Sequence, residues 1–254
     1  MYPFDKDVRS TRWSPGLNHH VFECFEQVRI INLVDRPDRR REMVGELNRI
    51  GGLAPNIGFY EAHRPTEARG FPSVGARGCF ESQLAVLRSA RDAKVQSLLL
   101  LEDDLDFTRG GRDRLDILMP ELFSRQWDFF YGAHLLPPNG RRGLVDVAPD
   151  EPVLTASFLA FAGPVLEPLV HFLEGILTRP PGSPDFGPMH VDGAYTVFRS
   201  LHPELATFAA FPPLGRQRSS PSDITPSNML LDRWSTTRHI AAVLRRGYNA
   251  LRRY

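Results

Sequence analysis

The chain has 254 residues, of which 42% are hydrophobic, which is enough for the core of one large domain. Its 31 basic and 30 acidic residues leave a formal net charge of +1, which argues against a partner bound through overall charge, such as nucleic acid. The two cysteines lack metal-type or disulfide-scaffold spacing, and the first twenty residues lack an apolar signal sequence. We therefore expect a cytoplasmic protein.

Three parts are predicted along the chain. Residues 1–27 form an irregular N-terminal arm, residues 28–228 a single domain, and residues 229–254 a C-terminal basic amphipathic helix. Strands and helices alternate in the domain, which predicts an α/β fold with a mostly parallel sheet flanked by helices. In such folds ligands bind beyond the carboxyl ends of the strands.

The first strand and helix enclose a basic turn. A strand is predicted at residues 28–34, and a helix begins at Pro37 and ends before Gly51 and Gly52. The turn carries polar and basic residues that could hold an anion such as a diphosphate at the helix N-terminus: Asn32, Asp35, Arg36, Arg39, Arg40 and Arg41. A solvated basic face is the alternative interpretation of the same residues.

The most distinctive stretch is SLLLLEDDLDF, residues 97–107. Four adjacent leucines predict a central strand covered on both faces, which ends at Glu102, Asp103 and Asp104. Alternation along an extended chain would put Glu102 and Asp104 on one face and Asp103 on the other. Such carboxylates suit a hard divalent cation, although a solvated acidic loop explains the tripeptide equally well.

The remaining elements follow from periodicity and breakers. Strands are predicted at 57–62, 127–132, 153–162 and 205–211, and helices at 79–94, at 115–123, from 164 and from 190. Residues 179–189 are rich in proline and glycine and are expected to border the site, and residues 212–228 form a long polar loop.

Five motifs, in order, resemble glycosyltransferase family 25, which includes bacterial lipooligosaccharide galactosyltransferases and collagen galactosyltransferases. They are IINLVDRPDRRREM, GCFESQ, LLLLEDD, HVD and SPSDI, and the similarity covers residues 28–224. Gln83 stands where that family usually has histidine, so any role of the ring is either absent or taken by an amide.

The resemblance implies a GT-A fold, which is Rossmann-like, a UDP-linked nucleotide-sugar donor, Mn²⁺ or Mg²⁺, and inversion at the anomeric carbon. It implies Asp104 as the first metal ligand, with Glu102 and His190 as further candidates, and Asp192 as the catalytic base. It also implies a donor-binding set of Asn32, Leu33, Arg36, Arg40, Ser82, Glu102 and Asp103. From the residues alone, Asp192 could instead cap a helix, and His190 could be an ordinary surface histidine.

The implied acceptor is a glycan, a glycolipid such as a lipopolysaccharide precursor, or a protein, and galactose is the sugar typical of the better-known members. The C-terminal helix would allow peripheral contact with the inner face of a membrane. Two alternatives stay open: a metal-dependent phosphohydrolase, and a non-catalytic glycan-binding relative, which the glutamine at position 83 favours. The first would release inorganic phosphate, and the second would form no product.

Overall fold

The protein is described by a computed structural model that covers residues 20–155 and 157–218. Nine strands and five helices lie in this part of the chain. The strands are β1 Gln27–Asn32, β2 Ile57–Glu61, β3 Ser97–Glu102, β4 Leu105–Phe107, β5 Phe129–Ala133, β6 Gly143–Asp146, β7 Phe158–Ala162, β8 Thr207–Phe211 and β9 Gly215–Gln217. The helices are α1 Pro37–Ile50, α2 Val74–Asp92, α3 Gly111–Phe123, α4 Gly163–Thr178 and α5 Val191–Leu201.

Seven strands form one mixed sheet in the order β2-β1-β3-β7-β5-β8-β6. The strands β2, β1, β3, β5 and β8 run in one direction, and only β7 and β6 oppose them among the strands of this sheet. This confirms the predicted α/β class with a mixed, mostly parallel sheet flanked by helices. The strands β4 and β9 pair separately as a small antiparallel sheet.

The four leucines of β3 are all fully buried, as their sequence predicts. Leu98 and Leu100 belong to a core cluster that includes residues of α2, α4 and α5, whereas Leu99 and Leu101 belong to a second cluster with residues of α1 and α3. Successive side chains of a strand point to opposite faces, so one run of leucines fills both cores. The strand is thereby fixed at the centre of the molecule, and its carboxyl end is fixed with it.

Helix α1 begins and ends where its sequence indicates. Pro37 occupies the first turn, and Gly51 follows the helix with a φ of 134°, a conformation that glycine adopts readily. Strand β1, however, ends at Asn32, two residues before its predicted end. The Asn32 side chain donates to the Arg36 carbonyl at 3.2 Å, which closes a turn and leaves Val34 72% exposed.

Several short elements depart from the sequence-based prediction. The strand predicted at 153–162 is confined to Phe158–Ala162, since Thr155 has a φ of 68° that interrupts an extended chain. The strands β4, β6 and β9 were not predicted, and β9 lies within the predicted polar loop. The prediction that β8 is the final strand is therefore wrong.

The structure describes only part of the predicted N-terminal arm and none of the predicted C-terminal helix. From His20 onward the chain packs against the sheet, with Val21, Phe22 and Phe25 buried in the core. Most of the predicted arm at 1–27, the SPSDI motif and the predicted C-terminal helix at 229–254 lie outside the described residues. Within the described residues, no helix combines the length and the apolar character that a bilayer crossing requires.

Candidate functional site

The carboxyl ends of β1 and β3 lie side by side and are joined through side chains. The Asn32 amide donates a hydrogen bond of 2.6 Å to Asp103 Oδ2, and the Asp103 backbone N–H donates to the Ile31 carbonyl at 3.2 Å. Both Asn32 and Asp103 are buried. Two residues predicted to bind a donor are thus brought together at the edge where ligands of parallel sheets bind.

Arg39 is the basic residue that reaches this edge. It is buried, and its Nη1 lies 3.4 Å from Asp103 Oδ1 and 4.0 Å from Asp104 Oδ2. Of the two arginines that the resemblance implied for donor binding, Arg36 forms a bidentate pair with Asp38 within electrostatic reach of Asp103, and the exposed Arg40 stacks over Phe59 at 4.2 Å. The internal guanidinium therefore compensates part of the negative charge of the two aspartates.

Helical periodicity does not distinguish Arg39 from its neighbour Arg40. Arg39 precedes Met43 and Leu47 at intervals of four residues, and those two side chains are fully buried on the inner face of α1. Arg40 precedes the same two residues by three and seven positions, which is equally compatible with that face. The burial of Arg39 is therefore seen only in the structure.

Asp104 combines burial with an unused acceptor. Its Oδ2 accepts from the Gln217 amide at 3.1 Å, while its Oδ1 is buried and has no hydrogen-bond partner among the described residues. Burial raises the pKa of this carboxyl. A buried carboxylate oxygen without a donor is the kind of group that a hard cation would satisfy.

Glu102 faces helix α2. Its Oε1 accepts from the Gln83 amide at 3.2 Å and from the Cys79 thiol at 3.6 Å. Burial, followed by the charges of Asp104 and Asp192, raises the pKa of Glu102 to about 8. Burial is the largest cause, so this environment disfavours the charged form of Glu102, and the neighbouring carboxylates disfavour it further.

The predicted alternation does not extend through the acidic triplet. The chain leaves β3 at Glu102 and turns at Asp103 and Asp104, so these two aspartates both approach Arg39 while Glu102 contacts α2. The prediction that Glu102 and Asp104 share one face of an extended chain is wrong for this reason. No group of three or more His, Cys, Asp or Glu side chains in the described part of the chain is arranged to hold a metal ion.

Asp192 lies in the first turn of α5 and is half-buried. Its Oδ2 accepts a 2.8 Å hydrogen bond from the backbone N–H of Thr155, in the loop before β7. The carboxylate is close enough to the triplet to contribute to the raised pKa of Glu102. His190 is the exposed residue that precedes α5, so it neighbours Asp192 in sequence at the same helix end.

Ser82 is almost fully buried and links α2 to the loop after β2. Its hydroxyl donates to the Gly78 carbonyl at 2.6 Å and accepts from the His63 backbone N–H at 2.7 Å. A Cβ at Gly78 would lie 2.9 Å from the His63 carbonyl oxygen, so the close approach depends on glycine. Ser82 thus fixes the His63 loop, and its predicted contact with a donor stays a prediction.

A cleft of about 510 Å³ opens beside this loop, at the carboxyl ends of β1 and β2. It is lined by Leu33, Val34, Asp35, Glu61, Ala62, His63, Arg64, Pro65, Arg77 and Glu81. Of the predicted donor-binding residues, Leu33 lines it. His63 and Arg64 were missed, although the rule that ligands bind beyond strand ends would have indicated the residues that follow β2.

No protein-family profile matches the chain. Procollagen galactosyltransferase 1 of Danio rerio is 32% identical over 127 residues, a match that covers 42% of this chain and 21% of that protein. The chain therefore spans about a fifth of the length of this curated relative.

Two solved structures have distant similarity. One is a glycosyltransferase involved in the glycosylation of the major capsid of PBCV-1, with a TM-score of 0.38 and 12% identity over 85% of this chain and 99% of that chain. The other is mannose-1-phosphate geranyltransferase from Thermus thermophilus, with a TM-score of 0.32 and 14% identity over 75% of this chain and 58% of that chain. Likeness at these TM-scores identifies neither fold nor function.

Proposed function

We propose that this chain is a glycosyltransferase of the family 25 type, which moves a sugar from a UDP-linked donor to a hydroxyl group of an acceptor. The observation that carries the proposal is the Glu102–Asp104 triplet, whose two aspartates are buried and which lies at the carboxyl edge of the sheet within electrostatic reach of Asp192. The partial identity to a galactosyltransferase supports the same activity and makes galactose the first sugar to test.

The donor nucleotide is proposed to bind across the ends of β1 and β2. Leu33 and His63 line the cleft there, and Asn32 and Asp103 lie hydrogen-bonded beside it. Arg36 and Arg40 belong to the turn next to the cleft, where exchange of their present partners for phosphate oxygens would favour a diphosphate. Ser82 supports this region by holding the His63 loop.

A divalent cation, Mn²⁺ or Mg²⁺, is proposed at the triplet. The fit rests on the buried Asp104 Oδ1, which has no hydrogen-bond partner among the described residues, and on the grouping of the Glu102 carboxyl with those of Asp104 and Asp192, while His190 is retained as a further candidate ligand. When bound, such an ion would stabilise the charge that develops on a departing nucleoside diphosphate. Asp104 and Glu102 would hold it, and Arg39 would keep Asp103 oriented toward Asn32.

Asp192 is proposed as the base that takes the proton of the acceptor hydroxyl. Inversion by direct displacement needs such a group on the side of the sugar opposite to the leaving group. One carboxylate oxygen of Asp192 accepts from the Thr155 N–H, which orients the group. The acceptor is proposed to be a glycan, a glycolipid of lipopolysaccharide type or a protein that presents this hydroxyl.

A panel of nucleotide sugars tests the proposal, read first by thermal shift with and without Mn²⁺ and then by product analysis. We expect a UDP-sugar to stabilise the protein only with the cation, and a sugar-linked acceptor to form. Release of inorganic phosphate without a glycosylated product would identify a phosphohydrolase instead. Glycan binding without any product would identify a non-catalytic relative.

A further inference from the structure

Gln83 carries a fully buried amide whose two ends are both hydrogen-bonded. Its Oε1 accepts from the Tyr195 hydroxyl at 2.7 Å, and its Nε2 donates to Glu102 Oε1 at 3.2 Å and to the Cys79 sulfur at 3.6 Å. Because the hydroxyl donates to the amide oxygen, the NH₂ group must face the carboxylate. In this orientation both ends of the amide are matched, its oxygen by the Tyr195 hydroxyl and its NH₂ group by Glu102.

This hydrogen-bond chain connects three elements of the candidate site. Tyr195 lies on α5, three residues after Asp192 and thus on the same side of the helix. Gln83 lies on α2, and Glu102 is the last residue of β3. The chain thus ties the helix that carries the proposed base to the strand that carries the proposed cation and donor ligands.

We propose that Gln83 is a positioning residue, which holds the Glu102 carboxylate in the orientation that the nucleotide-sugar donor requires, and that Tyr195 fixes the direction of its amide. The donor role rests on the proposed function, whereas the hydrogen-bond chain itself does not. Packing alone does not account for an amide here, because a buried amide is unfavourable unless its donors and acceptor are all matched. An apolar side chain of similar size would fill the same space without that requirement.

Kinetics of Gln83→Met and Tyr195→Phe test the positioning role. Loss of the hydrogen bond that orients the Glu102 carboxyl group predicts a donor KM raised roughly 10-fold in Gln83→Met, and somewhat less in Tyr195→Phe, with the acceptor KM unchanged. Tyr131→Phe is the matched control, since it removes another buried tyrosine hydroxyl, one that lies beside Arg199 rather than beside Gln83. Lower kcat with both KM values unchanged would indicate only structural damage and would overturn the proposal.

A double substitution tests whether Gln83 acts through Glu102. In a Glu102→Gln background, we expect Gln83→Met to change the donor KM by less than about 2-fold, because the carboxylate it positions is already gone. Full additivity of the two substitutions would show that Gln83 acts by another route.

Selective ¹⁵N labelling of glutamine tests the chain without substrate or cation. The protein has five glutamines, and the side-chain amide signal absent from Gln83→Met identifies position 83. We expect that signal to shift in Tyr195→Phe and in Glu102→Gln but not in Tyr131→Phe, and an unshifted signal in either of the first two would overturn the hydrogen-bond chain. Absence of sugar transfer by the wild-type protein would instead overturn the proposed function and the donor role with it.

Discussion

At the scale of single residues, replacing Asp192 with asparagine should abolish sugar transfer, whereas replacing Asp104 with asparagine should abolish cation-dependent donor binding. Asp192→Asn keeps the shape of the side chain and an oxygen for the Thr155 N–H, but it cannot take a proton. We expect donor affinity to persist while the rate of transfer falls by roughly 10²- to 10⁴-fold. Calorimetry with UDP and Mn²⁺ and a transfer assay on one preparation measure both quantities.

Asp185→Asn is a suitable control for that experiment, since it removes an exposed carboxylate from the nearby 179–189 loop. Near-normal transfer by Asp192→Asn would remove Asp192 from the mechanism. Lost donor affinity would reassign it to the binding site.

Asp104→Asn should instead weaken donor binding that depends on the cation. It replaces a buried carboxylate, one oxygen of which has no hydrogen-bond partner among the described residues, with an uncharged amide that binds a hard cation less strongly. We expect the Mn²⁺-dependent thermal shift with UDP to be lost and transfer to fall by at least roughly 10²-fold, whereas Asp113→Asn, on an exposed position of α3, should leave both unchanged. Undiminished wild-type turnover in excess chelator would contradict the assignment.

Glu102 predicts a particular dependence of stability on pH. Its pKa is raised from 4.5 to about 8, so the folded chain binds more protons than the unfolded chain between these two values. The free energy of unfolding therefore falls as pH rises through that window, by at most about 1.4 kcal/mol per pH unit from this group. The free energy of unfolding, measured by urea denaturation in chelator at several pH values, should depend less steeply on pH in Glu102→Gln than in the wild type. Equal pH dependences would refute the prediction.

The location of the candidate site at the strand ends was predictable from the sequence, whereas most of its side-chain contacts were not. Asn32 and the acidic triplet lie where β1 and β3 end, and parallel strands bring their carboxyl ends to one edge. The resemblance implied Arg36 and Arg40 rather than Arg39 for donor binding, whereas burial on the face shared with Met43 decides which arginine reaches Asp103. Contacts between residues far apart in the sequence, such as that of Gln217 with Asp104, cannot be predicted from the sequence around either residue.

At the scale of elements, β9 closes over the acidic edge. It pairs with β4, and Arg218, which follows it, pairs with Asp106 at 2.7 and 2.9 Å and also with Glu42. We expect Arg218→Gln to lower the free energy of unfolding by about 1 kcal/mol, since these pairs are partly exposed. It should also weaken Mn²⁺-dependent UDP binding, because loss of the pair with Asp106 loosens residue 218, whose backbone N–H donates to the Asp104 carbonyl at 2.7 Å.

Chemical denaturation and calorimetry on the same Arg218→Gln preparation measure the two effects. Arg125→Gln is a control of the same type, because Arg125 pairs with Glu121 at the far end of α3. Equal effects of the two substitutions on UDP binding would show that β9 has no special relation to the site.

Elements with strong periodicity were predicted from the sequence, and the shortest strands were not. Helix α1 is fixed by Pro37, an apolar stripe and Gly51, all of which are local features. The strands β4, β6 and β9 have three or four residues each, and their pairing depends on the partner strand more than on their own composition. The sheet order likewise depends on which elements pack together.

At the scale of the whole molecule, charge is unevenly distributed along a nearly neutral chain. Residues 238–254 contain five arginines and no acidic residue. The rest of the chain contains the other 26 basic residues and all 30 acidic residues. An apolar stripe of Ile240, Val243, Leu244, Tyr248 and Leu251 accompanies the arginines, a pattern typical of helices that lie on anionic membranes. These residues lie outside the described part of the chain, so the prediction rests on sequence alone.

We expect the 254-residue chain to co-sediment with vesicles that contain phosphatidylglycerol and to bind neutral phosphatidylcholine vesicles far less. Each basic group near an anionic surface contributes about 1 kcal/mol, so replacing all five tail arginines with glutamine should release the protein while leaving the catalytic domain intact. High salt should release the wild type too, because exposed charges are screened. The same number of Arg→Gln changes at the exposed positions 41, 64, 69, 109 and 142 controls for net charge alone. If both sets of substitutions weaken co-sedimentation equally, the protein is attracted to the vesicles by its net charge alone. If neither set weakens it, the tail arginines do not contribute to membrane binding.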